Sequence, residues 1–69
     1  MSQVMKEVIR EGQYCAEVEI RYEDDGSELS PVVVKEDELK ADRVRLALRR
    51  GDLAAAKRES RVFELREVA

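Results

Sequence analysis

The groups able to do covalent chemistry are few in this chain, and none sits beside a partner that would activate it. Cys15 is the single thiol, the hydroxyls belong to four serines and two tyrosines, and histidine is absent. Nucleophilic catalysis needs a thiol or hydroxyl next to a base that takes its proton, most often an imidazole. Here only a Ser–Lys or Cys–carboxylate pair could be assembled. A reactive thiol also needs an electropositive neighbourhood, and the nearest same-face neighbour of Cys15 on an extended chain is Glu17. One cysteine closes no disulfide within the chain, and the Cys/His set of a structural zinc is missing. Carboxylates are plentiful, at 16 Asp and Glu, so paired acids for glycoside chemistry exist by type. A chain this short leaves little material for a cleft that would bury and tune two of them. The run Asp24-Asp25-Gly26-Ser27-Glu28 lacks the alternating ligands of an EF-hand loop, and there is no glycine-rich phosphate loop. The expectation is a protein that is not an enzyme and takes no cofactor or metal.

What remains for function is charge, and charge is unevenly placed. Residues 1–42 hold five basic and twelve acidic side chains, whereas residues 43–69 hold eight basic and four acidic ones. Glu17, Glu19, Glu23, Asp24, Asp25 and Glu28 form an acidic set that would steer the chain toward a basic partner protein. Arg43, Arg45, Arg49, Arg50, Lys57 and Arg58 form a basic set suited to a nucleic-acid backbone. Against the nucleic-acid reading, asparagine, a common reader of base edges, is absent. The Gly51-Asp52 junction is also shorter than a helix-turn-helix turn. The plainest account of the split is that the two halves pack together and neutralise each other.

The elements that would hold these side chains follow from periodicity and punctuation. Tyr14, Ala16, Val18, Ile20 and Tyr22 alternate with Cys15, Glu17, Glu19 and Arg21, the period-two pattern of a half-buried strand. Val4–Arg10 fits a strand or one stripe of a short helix. Gly12, within Glu11-Gly12-Gln13, favours an antiparallel hairpin through a loop of two or three residues. Glu23–Glu28 reads as a polar turn, and Val32–Val34 as extended chain after Pro31. Residues 36–50 are rich in helix formers, with Glu36, Asp37 and Glu38 in the first turn and Arg49 and Arg50 in the last, matching the helix dipole. Leu39, Val44, Leu46, Ala47 and Leu48 spread over a broad arc suited to lying on a sheet. Gly51 suits a left-handed helix end and Asp52 a helix start. Leu53–Glu59 then forms a second helix, closed by Ser60. Val62–Val68 alternates as a final strand, with Phe63 and Leu65 on one face. A single helix over 36–68, broken only at Gly51, is the competing reading.

The expected fold is therefore α+β in the order β-β-α-α-β, a three-stranded antiparallel sheet covered on one face by a helical hairpin, all one domain over 1–69. Such a chain is near the lower size limit for a self-sufficient core. An efficiently packed helix–sheet core, or surface buried against another copy or a partner, must supply the stability. No apolar run approaches the roughly 20 residues of a membrane span, and Met1–Arg10 lacks the apolar stretch of a signal peptide. With a lone cysteine, this predicts a cytoplasmic protein.

The run Val44-Arg45-Leu46-Ala47-Leu48-Arg49-Arg50-Gly51-Asp52-Leu53-Ala54-Ala55-Ala56, closing with Arg61-Val62-Phe63-Glu64-Leu65, resembles the C-terminal half of small, largely uncharacterised prokaryotic proteins, some of them antitoxin-like. The likeness covers residues 36–68 and brings no catalytic or binding motif with it. It implies a small bacterial protein that neutralises a basic, toxin-like partner by binding it. The expected function is thus a non-enzymatic protein-binding module. A small nucleic-acid-binding regulator is the alternative, and a homodimer with a structural role is a third reading.

Overall fold

The chain alternates where it must lie flat and drifts by about 100° per residue where it must coil, and the structure follows both patterns. The computed structural model describes residues 2–23 and 32–68. Asp24, Asp25, Glu28 and Pro31 lie outside these residues. Strands β1 (Ser2–Glu11) and β2 (Tyr14–Glu23) form an antiparallel hairpin. Glu11 pairs with Tyr14, so the loop is the two-residue Gly12-Gln13. Gly12 has φ +60° while Gln13 keeps a negative φ, the signature of a type II′ turn, whose twist matches that of the flanking strands.

β2 is the central strand. Its far edge is shared end to end by two short strands. β3 (Val32–Val33) pairs with Tyr22 and Glu23, and β4 (Arg61–Glu64) pairs with Tyr14 to Glu17, both antiparallel. Among the described residues the sheet is thus three positions wide and built from four strands. The single helix over 36–68 is excluded by this pairing of β4. The final strand is shorter than its alternating sequence suggests. It stops at Glu64 because β2 begins at Tyr14, and beyond that pair Leu65 N–H still donates to the Gln13 carbonyl at 2.6 Å.

Helices α1 (Lys35–Arg49) and α2 (Leu53–Glu59) cover one face of the sheet. Their junction satisfies the helix ends within two residues. Gly51, at φ +74°, donates to the Leu48 carbonyl at 3.1 Å, and Asp52 N–H reaches the Ala47 carbonyl at 2.8 Å. These are the paired bonds of a Schellman motif. Asp52 then caps α2, its carboxylate accepting from Ala55 N–H at 3.1 Å.

The core is Ile9, Val18, Ile20, Val44 and Leu48, with Ala16, Ala41, Ala47 and Ala56 between them. One stripe of α1 (Ala41, Val44, Ala47 and Leu48) meets the sheet. Leu39 and Leu46 belong to the arc expected to face the sheet, yet they stand outside it, about half exposed. A sheet three positions wide has room for only one stripe of the helix.

Candidate functional site

Asp37 is the only charged residue buried among the described ones. It sits in the gap between β3 and β4, where β2 has no strand partner on that side. Its Oδ2 accepts the Arg21 backbone N–H at 2.7 Å and Arg21 Nε at 2.9 Å, and its Oδ1 accepts Nη2 at 2.9 Å. The carboxylate thus stands in for the missing strand. The Arg21 guanidinium, then its backbone N–H, hold the Asp37 carboxyl well below the usual carboxylate range, and the guanidinium is raised in turn. Bonds from Arg21 to both oxygens favour the ionised form of this carboxylate. It is a structural joint and a poor proton carrier.

The same bonds fix which edge of the sheet is open. Arg21 directs its N–H to Asp37, and its carbonyl accepts from Val34 N–H at 2.9 Å. Odd-numbered residues of β2 therefore point their backbone groups away from β1, and even-numbered ones toward it. In the observed register, odd residues of β1 exchange bonds with β2. The even residues of β1, from Ser2 to Arg10, send their N–H and C=O groups outward, where no strand meets them among the described residues. A ten-residue unpaired edge without proline or bulge is a template for another strand. Val4 and Val8, on the bare face of that edge, are 60% and 65% exposed.

On the covered face, beside the edge, Met5, Ile20, Val33 and Ala41 floor a groove of about 300 Å³ between α1 and the sheet. Glu7, Glu38, Asp42 and Arg45 surround it. Arg45 Nη1 lies 3.6 Å from Asp42 Oδ1. Apart from that pair, the carboxylates of Glu7 and Glu38 are the charges next to the apolar floor. An extended segment added to β1 would alternate its side chains between this acid-rimmed groove and the bare valine face.

The acidic residues expected from sequence are only partly gathered. Glu17, Glu19 and Glu23 do share the bare face of β2, but Glu17 is held by Lys6 Nζ at 3.0 Å and has Arg61 as its cross-strand neighbour. Glu19 and Glu23 are exposed and have no ion-pair partner among the described residues. Asp24, Asp25 and Glu28 are outside those residues. The basic set divides in half. Arg43 is bound to Glu59, Arg45 to Asp42, and Arg49 Nη2 reaches Glu11 Oε1 at 2.8 Å. Arg50, Lys57 and Arg58 have no acidic partner among the described residues. Of these three bonds Arg43–Glu59 lies within the basic half, so the two that join the halves are the neighbouring Arg45–Asp42 pair and Arg49–Glu11, 38 residues apart.

Glu7, Glu38 and the apolar floor were not visible as a site in the sequence. Glu38 and Asp42 are spaced i, i+4 and share a helix face, but their proximity to Glu7 depends on where α1 crosses the hairpin. Cys15 lies half-buried on the bare face, between Arg10 and Phe63 in the cross-strand rows. No helix among the described residues is long and apolar enough to cross a membrane. Comparison with family models, curated proteins and solved structures finds no match for the chain.

Proposed function

We propose that the chain is a small non-enzymatic protein-binding module, antitoxin-like in kind, that takes an extended segment of a basic partner along β1. The observation that carries this reading is the open β1 edge lying beside a groove with an apolar floor and acidic rim. Strand addition supplies backbone bonds along the even residues of β1. Alternate side chains of the partner supply the selectivity: Lys or Arg toward Glu7 and Glu38, apolar groups toward Val4 and Val8. Glu19 and Glu23 add to the acidic field that brings such a partner in. The competing reading, contact with a nucleic-acid backbone, keeps three of its six cations, Arg50, Lys57 and Arg58, and is the weaker for it.

The test uses Val8→Pro. The Val8 N–H points outward, so proline there removes no bond of the β1–β2 ladder and blocks the added strand. Native lysate passed over the wild-type chain should yield one stoichiometric basic protein, and the Val8→Pro chain should lose it. Equal retention by both chains refutes docking at the edge. An acidic protein or nucleic acid as the retained species refutes the partner chemistry.

A further inference from the structure

α1 has a second face that neither the core nor the β1 edge uses. Leu39, Arg43, Leu46 and Arg50 follow one another at i, i+4, i+7 and i+11, so they form one stripe pointing away from the sheet. Leu39 and Leu46 are 48% and 50% exposed. α2 runs beside this stripe, leaving a groove of about 610 Å³ between the helices. Leu46, Ala47 and Ala55 make its floor, and Arg43, Arg50 and Arg58 line its rim. Arg43 is locked in place by Glu59, with Nε to Oε2 at 3.1 Å and Nη2 to Oε1 at 2.6 Å. Arg50 and Arg58 have no such counter-charge among the described residues.

We propose that this groove is a second docking site, for an acidic amphipathic helix of a partner protein. The spacing of the leucines argues for a helix. Leu39 and Leu46 are seven residues apart, about 10 Å along the α1 axis, the distance over which an amphipathic helix repeats its apolar face. The alanines of α2 leave room for side chains inserted from above. The rim argues for carboxylates: Arg50 and Arg58 each present a planar fork that matches a carboxylate in two bonds. A nucleic-acid strand would use the cations but leave both leucines in water. The chain's net charge of −3 would also oppose a long polyanion. This site is independent of the β1 edge, and Val8→Pro should leave it intact.

A display library of random peptides, each long enough for four helical turns, is panned against the full chain. Enriched peptides are then titrated into the isotope-labelled protein and followed by amide chemical shifts. The expected winners carry apolar residues at helical spacing flanked by Asp or Glu, and they shift the amides of Leu46, Arg50, Ala55 and Arg58. The double reversal Arg50→Glu, Arg58→Glu should weaken them at least about tenfold, and Arg50→Gln, Arg58→Gln should give an intermediate loss. Both side chains are solvent-exposed, so the fold is checked directly by the dispersion of the same spectra. Selection of neutral or basic peptides, or of none, overturns the proposal. So do shifts confined to β1, unchanged affinity in the reversed variant, or a labelled DNA duplex that moves the groove amides at lower concentration than the peptides do.

Discussion

Replacing Gly51 by alanine isolates what the two-residue junction between α1 and α2 contributes. Gly51 has φ +74°, and a Cβ built there would meet no atom within 4 Å. The substitution therefore brings no clash, only the intrinsic cost of placing an L-residue in the left-handed region, roughly 1–2 kcal/mol. Alanine also restricts the unfolded chain, which offsets part of this cost but not all of it at a positive φ. The net expectation is a loss of about 1 kcal/mol, or about 4–8 °C in Tm for a domain of this size. Urea unfolding followed by far-UV circular dichroism, with the slope m unchanged, measures it. A chain this short is open to total synthesis, so D-alanine at position 51 gives the opposite test. It prefers positive φ and should match or exceed the wild-type stability. An L-alanine variant within about 0.3 kcal/mol of wild type, or a D-alanine variant equally destabilised, would refute the conformational account. Since Asp52 N–H bonds back to Ala47 while its side chain caps α2, any loosening at Gly51 should also lower the affinity of the inter-helix groove.

Stability should fall as the medium is acidified. Asp37 and Glu59 are both held below their unfolded values, by Arg21 and Arg43 respectively. The unfolded chain then binds more protons, and their contribution, complete above the ordinary carboxylate range near about 4, is lost as pH falls through the lower folded values. Urea midpoints between about pH 6 and pH 2 should show this slope, and Asp37→Asn should flatten it; an unchanged slope removes Asp37 as its source. Ile20→Val, in the core, should cost about 0.5–1.5 kcal/mol. Leu46→Ala, on the exposed stripe, should cost less than about 0.5 kcal/mol while weakening any occupant of the inter-helix groove. Equal losses at the two sites would mean that Leu46 is packed in solution.

Much of the fold was legible because single residues carry it. The alternation of Tyr14 to Tyr22 specifies a strand and its buried face at once, and Gly51-Asp52 names both ends of a helix junction. The hairpin register was open between two loop lengths. It is closed by Gly12 as the first central residue of a II′ turn, whose pairing partners sit within the same local segment. What stayed hidden is set by distance in the chain. Val32–Val33 and Arg61–Glu64 share one edge of β2 only because α1 and α2 carry the chain from one end of that edge to the other. Asp37 looked like one of three first-turn acids favouring the helix dipole. Its use as a substitute strand partner depends on the gap that this sharing leaves. The charge split was real as composition but blind to pairing. Arg49 and Glu11 are brought together across most of the sequence, while Arg50, one residue further on, is turned away.

The distribution of apolar side chains links the fold to the proposed role. Alanines at 16, 41, 47 and 56 fill a large share of the interior, while Val4, Met5, Val8, Leu39 and Leu46 stand outside. Small residues inside let the helices lie close on the sheet, but they bury little apolar area for a domain already near its size limit. Five of the larger groups kept outside are gathered in two places, whereas Val32, Phe63, Leu65 and Val68 stand elsewhere. Val4, Met5 and Val8 belong to the open edge, and Leu39 and Leu46 to the outer stripe of α1. A partner seated on either surface would bury them and stabilise the fold by mass action, by about 2.7 kcal/mol at a hundredfold excess over Kd. A Tm that rises with partner concentration, and that separates into two increments removed by Val8→Pro and by the Arg50/Arg58 reversal respectively, is the signature this arrangement demands. A single increment abolished by either change would mean that the two surfaces are one.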